Sequence, residues 1–168
     1  NMSERTKFLL PAKFRFVGSI FFIAGVITGI FRFYLGIKPK ILDARVFAVY
    51  SEYLDEKYMK LVNNNLGEEI TLFLVLSGLF LIAFSKEKTE NEIISNIRYQ
   101  SLIISFYISF IFLLAATFFT YGFAFLYMLI LFSAIPMASY IVIFRFHLYL
   151  YQKNLKSNNT FDHQEQEP

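Results

Sequence analysis

Cysteine is absent from the 168 residues. That excludes disulfides, thiolate metal sites, iron–sulfur clusters and cysteine nucleophiles, while leaving the redox compartment open. Tryptophan is absent too, and histidine occurs only at His147 and His163. Neither histidine stands in a ligand or catalytic spacing such as HExxH. The chain has no GxSxG elbow, no Walker loop and no paired intramembrane Asp. The expectation is therefore a non-enzymatic protein without metal or cofactor. Charge is also scarce: 17% of residues are charged, with a net charge of +3. The basic residues flank apolar stretches rather than forming a patch, so they read as topology signals and not as a nucleic-acid footprint.

What is abundant is apolar side chain. The hydrophobic share is 56%, with 22 Phe and 11 Tyr, against roughly 45–50% in soluble domains. A soluble chain of this length lacks the polar surface to cover so much apolar material. The expected class is an all-α membrane protein, with the lipid bilayer as its main partner.

Four spans are expected, at about 14–37, 66–85, 100–119 and 123–147, all within a transmembrane domain over 14–150. The first holds fourteen Leu, Ile, Phe or Val residues and two arginines, Arg15 at its start and Arg32 near its far end. Each such apolar residue contributes about −0.3 to −0.6 kcal/mol to insertion, while a central arginine costs about 3 kcal/mol, so the span inserts despite Arg32. It is also too long for a signal-peptide core, and no small-residue cleavage site follows it. The second, Ile70–Phe84, needs extension back to Leu66 to approach a ~30 Å hydrocarbon core, which puts Glu68 and Glu69 at headgroup depth. From Ser101 to Phe144 no residue carries a formal charge. That run is long enough for two spans, with a turn at Thr120-Tyr121-Gly122. Pro136 then implies a kink within the fourth span.

Between spans one and two, residues 43–62 carry Val46, Val49, Tyr50, Tyr53, Leu54, Leu61 and Val62 at a spacing near 3.6. This predicts an amphipathic external helix, capped by Asp43 and ended by Asn63-Asn64-Asn65. The segments 1–13 and 151–168 are expected on the cytoplasmic side, the latter as a polar disordered tail. Ten basic residues lie on that side, including Arg5, Lys7, Arg15, Arg98 and Arg145; five lie in the first loop, including Lys38, Lys40 and Arg45. The bias places both termini in the cytoplasm, in a cell inner membrane. The Asn158-Asn159-Thr160 sequon then falls on the cytoplasmic side and is discounted. Lys86-Glu87-Lys88, with Glu90 and Glu92, reads as the solvated start of the third span.

Two features in the first span stand out. Gly18, Gly25, Gly29 and Gly36 share one helix face, a packing seam containing the GxxxG element Gly25–Gly29. The seam serves either a dimer interface or packing within the chain. Arg32 lies on the same face, so an ion pair with Glu68 or Glu69 is one reading; snorkelling to the headgroups is the other. The hydroxyls Ser105, Ser109, Thr117, Ser133 and Ser139, with Tyr107, Tyr121, Tyr127 and Tyr140, can line a polar path or bond back to their own helix.

The segments FRFYLGIKPKILDARVFAVYSEYLDEKYMKLVNNNLGEEI and LIAFSKEKTENEIISNIR resemble an uncharacterised family of multi-pass, four-helix membrane proteins of Bacteroidetes-type bacteria. The resemblance implies a small helical membrane protein and carries over no activity and no site residues. The leading functional expectation is an accessory or sensory subunit acting through helix–helix contacts, as a homo-oligomer or with a partner membrane protein. The alternative is a small oligomeric transporter or channel with Arg32 as its substrate or ion contact.

Overall fold

The computed structural model describes residues 8–37, 39–52, 56–87 and 89–164. Arg5, Lys7, Lys38 and Lys88, used above to orient the chain, lie outside them. Helices dominate: α1 (Lys13–Gly29), α2 (Gly67–Ala83), α3 (Glu92–Phe119), α4 (Phe123–Phe132) and α5 (Ile135–Gln164). A π-helical turn, Ile30–Tyr34, continues α1. Two strands, β1 (Asp43–Glu52) and β2 (Glu56–Asn65), pair antiparallel as a hairpin, with Val46 opposite Val62 and Phe47 opposite Leu61.

The hairpin replaces the external helix expected over 43–62. Val46, Phe47, Val49 and Tyr50 are β-branched or aromatic residues, which favour a pleated strand and lose side-chain freedom in a helix. That preference outweighs an apolar spacing shared by both readings. Asp43 caps no helix. Its Oδ1 accepts from Asn65 Nδ2 at 2.6 Å, closing the open end of the hairpin.

α1 through Tyr34 (22 residues) and α3 (28 residues) are long and apolar enough to cross a membrane. Only 11% and 17% of their apolar windows are buried by the protein itself. Side chains such as Phe16, Phe106, Ile111 and Phe118 face outward, and exposed apolar surface of this extent marks a membrane or protein contact. The α4–α5 pair is a third such element if taken as one span. α2 has 17 residues, so it is about 25 Å long and falls short of a ~30 Å core by itself.

The α4–α5 junction is a break rather than the expected kink, with a bend of 46°. Proline clashes with the carbonyl four residues earlier and removes an N–H. For Pro136 that carbonyl belongs to Phe132, where α4 stops. Ser133 and Ala134 then make tightened bonds to Ile130 and Leu131, both 3.1 Å, before α5 resumes. α5 also runs on to Gln164, where a disordered tail was expected. Adding residues to an existing helix is far easier than nucleating one, and Leu150, Tyr151 and Leu155 extend its apolar pattern.

α3 starts earlier than expected because Asn91 caps it: its Oδ1 accepts from Ile94 N at 2.8 Å. Its end is the turn at Thr120–Gly122. Gly122 has φ +63° and ψ −141°, a conformation almost confined to glycine. Gly122→Ala is therefore expected to lower stability by about 1–3 kcal/mol, read as an earlier unfolding midpoint in detergent.

The chain divides into two compact units. One comprises Asn1–Gly18 with Leu79–Pro168, the other Ser19–Gly78. In the first, α3 packs on α5. Its core is Ala83, Ile94, Tyr140, Phe144 and Leu148; the last three recur every four residues and so share one face of α5. Ser101, Ser105 and Ser109 are the buried face of α3. Ser105 and Ser109 donate to Leu102 O and Ser105 O, both at 2.7 Å. These hydroxyls are spent on their own helix, and their small size permits close helix packing.

Candidate functional site

Ser19–Gly78 contains Gly25, Gly29 and Gly36 of the expected seam, and the arginine. α1 and α2 approach closely at Gly25, where an added Cβ would sit 2.8 Å from both Val75 N and Val75 Cγ2. At Gly29 the corresponding distance, to Thr71 Cγ2, is 3.3 Å. Hydroxyls meet at the crossing: Thr71 donates to Gly67 O at 2.7 Å, Thr28 donates to Gly25 O at 3.0 Å, and the two Oγ1 atoms lie 3.2 Å apart. Gly25 and Gly29 thus serve packing within the chain.

Two other members of the expected seam stand apart. Gly18 is buried on α1 but belongs to the other unit. Gly36 does not pack: it lies beyond the π-turn at φ +66°, with nothing within 4 Å of an added Cβ. The seam was drawn on a continuous α-helix, and the chain leaves that helix at Ile30.

Arg32 sits in the π-turn. Its Nη2 donates to Glu68 Oε1 at 2.5 Å, in the first turn of α2. The Arg32 side chain is 10% exposed and that of Glu68 57%. A carboxylate in the first helical turn also meets the positive end of the α2 dipole. At Gly67 an added Cβ would make ordinary contact with Arg32 Cδ, at 3.7 Å, but would sit 3.0 Å from Asn65 Oδ1. Of the two expected partners, Glu68 is the one placed on Arg32. Because Glu68 is half in solvent, the pair is expected to couple by about 0.5–1 kcal/mol. A double-mutant cycle of Arg32→Ala and Glu68→Ala, read by unfolding in detergent, measures it; strict additivity would show no pair.

A larger charged cluster lies in the other unit. Residues Lys86 to Glu92 were expected to be a solvated helix start, but Glu87 and Glu90 are 11% exposed. Arg15 brackets Glu87: Nη1 reaches Oε2 at 2.9 Å and Nη2 reaches Oε1 at 2.7 Å. The second contact is an ion pair out of hydrogen-bond alignment. Arg15 Nη2 also donates to Lys86 O at 2.8 Å, and Arg145 Nη1 stands 3.4 Å from Glu87 Oε1. Glu87 N in turn donates to Glu90 Oε2 at 2.9 Å, joining the two acids.

Arg98 completes the cluster. Its Nη2 reaches both Glu90 oxygens at 3.2 Å, and its Nη1 donates to Tyr140 Oη at 3.1 Å and Ala83 O at 3.4 Å. The guanidinium lies 4.8 Å above the Phe144 ring, a cation–π contact. A short parallel bridge ties the N-terminal segment alongside: Leu10 N bonds Phe84 O and Lys86 N bonds Leu10 O, each at 2.9 Å. The available sequence signal was the placement of Arg15, Arg98 and Arg145 a few residues inside apolar helices, where guanidiniums require carboxylates.

Beside Arg98 is a cleft of 710 Å³, walled by Phe84 and Leu102 and carrying Ser95, Asn96 and Tyr99. Among the described residues no group of three His, Asp or Glu side chains is placed to hold a metal. Ser101 Oγ lies 3.3 Å from His147 Nδ1, but it is wholly buried and so is closed to substrate. No family model, curated protein or solved structure matches the chain.

Proposed function

We propose that the chain is a four-span, multi-pass protein of a bacterial inner membrane, with both termini in the cytoplasm. In this reading it works as a non-enzymatic accessory or sensory subunit through helix–helix contacts. The observation that carries the reading is the use of its membrane-end charges. Arg32 is held by Glu68, Arg15 by Glu87 and Arg98 by Glu90. These charges are engaged in architecture, and the long faces left over are apolar.

The same pairs support α2 as a span. Glu68 and Glu87 lie 19 residues apart, on either side of the apolar run of α2. The 17 residues of α2 rise about 25 Å, and the non-helical residues up to Glu87 add to that reach toward a ~30 Å hydrocarbon core. Arg15 and Arg32 similarly bracket α1. On this account the hairpin is extracytoplasmic and the Glu87–Glu90 cluster faces the cytoplasm, consistent with the excess of basic residues there. The resemblance to the Bacteroidetes-type membrane family belongs to the same proposal.

Native mass spectrometry of the full chain, released from detergent, tests the subunit reading. A defined homo-oligomer, or a stoichiometric complex with a second membrane protein, is expected. A monomer alone contradicts it. The transporter reading stands second because a substrate would have to displace Glu68 from Arg32. It requires solute flux in liposomes that Arg32→Gln abolishes.

A further inference from the structure

We propose that the cleft beside Arg98 binds the oxyanion head of a membrane amphiphile, either a fatty-acid carboxylate or a phospholipid phosphate. The cleft lies wholly within the Leu79–Pro168 unit and its N-terminal segment. Its walls divide chemically. Phe84 and Leu102 offer apolar surface, while Ser95, Asn96 and Tyr99 offer hydrogen-bonding groups.

These polar groups have no partners among the described residues. Ser95 is 9% exposed, yet its hydroxyl makes no hydrogen bond; the exposed side chains of Asn96 and Tyr99 make none either. Buried polar groups are normally satisfied, so one left over inside a cleft marks a missing acceptor or donor. Arg98 lines the cleft as well, with Glu90 on its Nη2 and Tyr140 on its Nη1. The groups left open to the cleft are thus the Asn96 amide, which donates, and the Ser95 and Tyr99 hydroxyls, which can do so. A carboxylate or phosphate presents several acceptor oxygens at once, and such bonds are the stronger kind. The volume suits a head with the first part of its chain. Acyl carbons then lie against Phe84 and Leu102, at the end of helices whose outer faces already meet lipid.

The test uses the full-length chain in a mild non-ionic detergent, with binding read by native mass spectrometry and by equilibrium retention of labelled ligand. Oleate and phosphatidylglycerol are the two oxyanion probes; oleyl alcohol carries the same chain without the charge. At least one oxyanion probe is expected to bind at one per chain, at least tenfold more tightly than the alcohol. Which of the two binds better identifies the source. Ser95→Ala and Asn96→Ala are each expected to weaken that binding at least tenfold while leaving helical content and unfolding midpoint unchanged. Tyr99→Phe is a milder check at an exposed position. Equal binding of oleate and oleyl alcohol overturns the proposal, as does retention unaffected by Ser95→Ala and Asn96→Ala in folded protein.

Discussion

Glu90→Ala is expected to destabilise the protein by roughly 3–5 kcal/mol, the usual consequence of removing one partner of a buried ion pair. Both side chains are almost out of solvent, at 12% for Arg98 and 11% for Glu90. Without Glu90, Arg98 keeps only neutral partners: Tyr140 Oη, Ala83 O and the Phe144 ring. Glu87 also loses the acceptor that holds its backbone N–H. The penalty is that of a stranded charge rather than of a missing contact. A double variant, Glu90→Gln with Arg98→Met, is therefore expected to recover most of the loss, because no charge is left to solvate. Tyr140→Phe removes only one neutral acceptor and should cost about 1 kcal/mol. Unfolding titrated with sodium dodecyl sulfate and followed by circular dichroism gives all three values. An exposed, inconsequential pair would instead make Glu90→Ala nearly silent.

Gly25→Leu is expected to abolish the native α1–α2 crossing. Even alanine at this position places its Cβ 2.8 Å from a backbone nitrogen, Val75 N, as well as 3.1 Å from Leu74 Cβ. A flexible side chain can move aside, but a helix backbone moves only with its helix. Overpacking of a tight site typically costs about 1–3 kcal/mol, so Gly25→Ala should fall at the upper end of that range and Gly25→Leu beyond it. Gly29→Ala meets only a methyl group, Thr71 Cγ2, at 3.3 Å, and is expected to cost clearly less. Trimming Val75 to Ala removes Cγ2 but leaves its nitrogen, so it should rescue Gly25→Ala only in part. Equal effects at the two glycines would show that the close approach is elsewhere.

The particular residues explain how much was legible beforehand. The helices came from uninterrupted apolar runs, a signal that needs no tertiary information. Gly25 and Gly29 were visible because GxxxG spacing describes one face of a helix. Gly36 was misplaced because the same arithmetic cannot see where a helix stops, and the π-turn at Ile30–Tyr34 shifts every later residue off that face. The hairpin was missed because Val46, Val49 and Tyr50 satisfy a helical period and a strand propensity at once, and only pairing with β2 decides between them. Glu87 and Glu90 looked solvated since flanking lysines suggested a polar loop. Their burial depends on arginines 72, 8 and 58 positions away in the chain, which no local pattern reports. The arrest of α4 at Phe132 was legible in principle from Pro136, four residues on.

The absence of cysteine makes the membrane topology directly measurable. Single cysteines at Ser51, Thr89, Tyr121 and Asn158 can each be probed in intact cells with a membrane-impermeant maleimide, before and after permeabilisation. Four spans with cytoplasmic ends require Ser51 and Tyr121 to react in intact cells, and Thr89 and Asn158 only after permeabilisation. Reaction at Thr89 in intact cells, with Tyr121 protected, would mean that α2 does not cross, and would contradict the account.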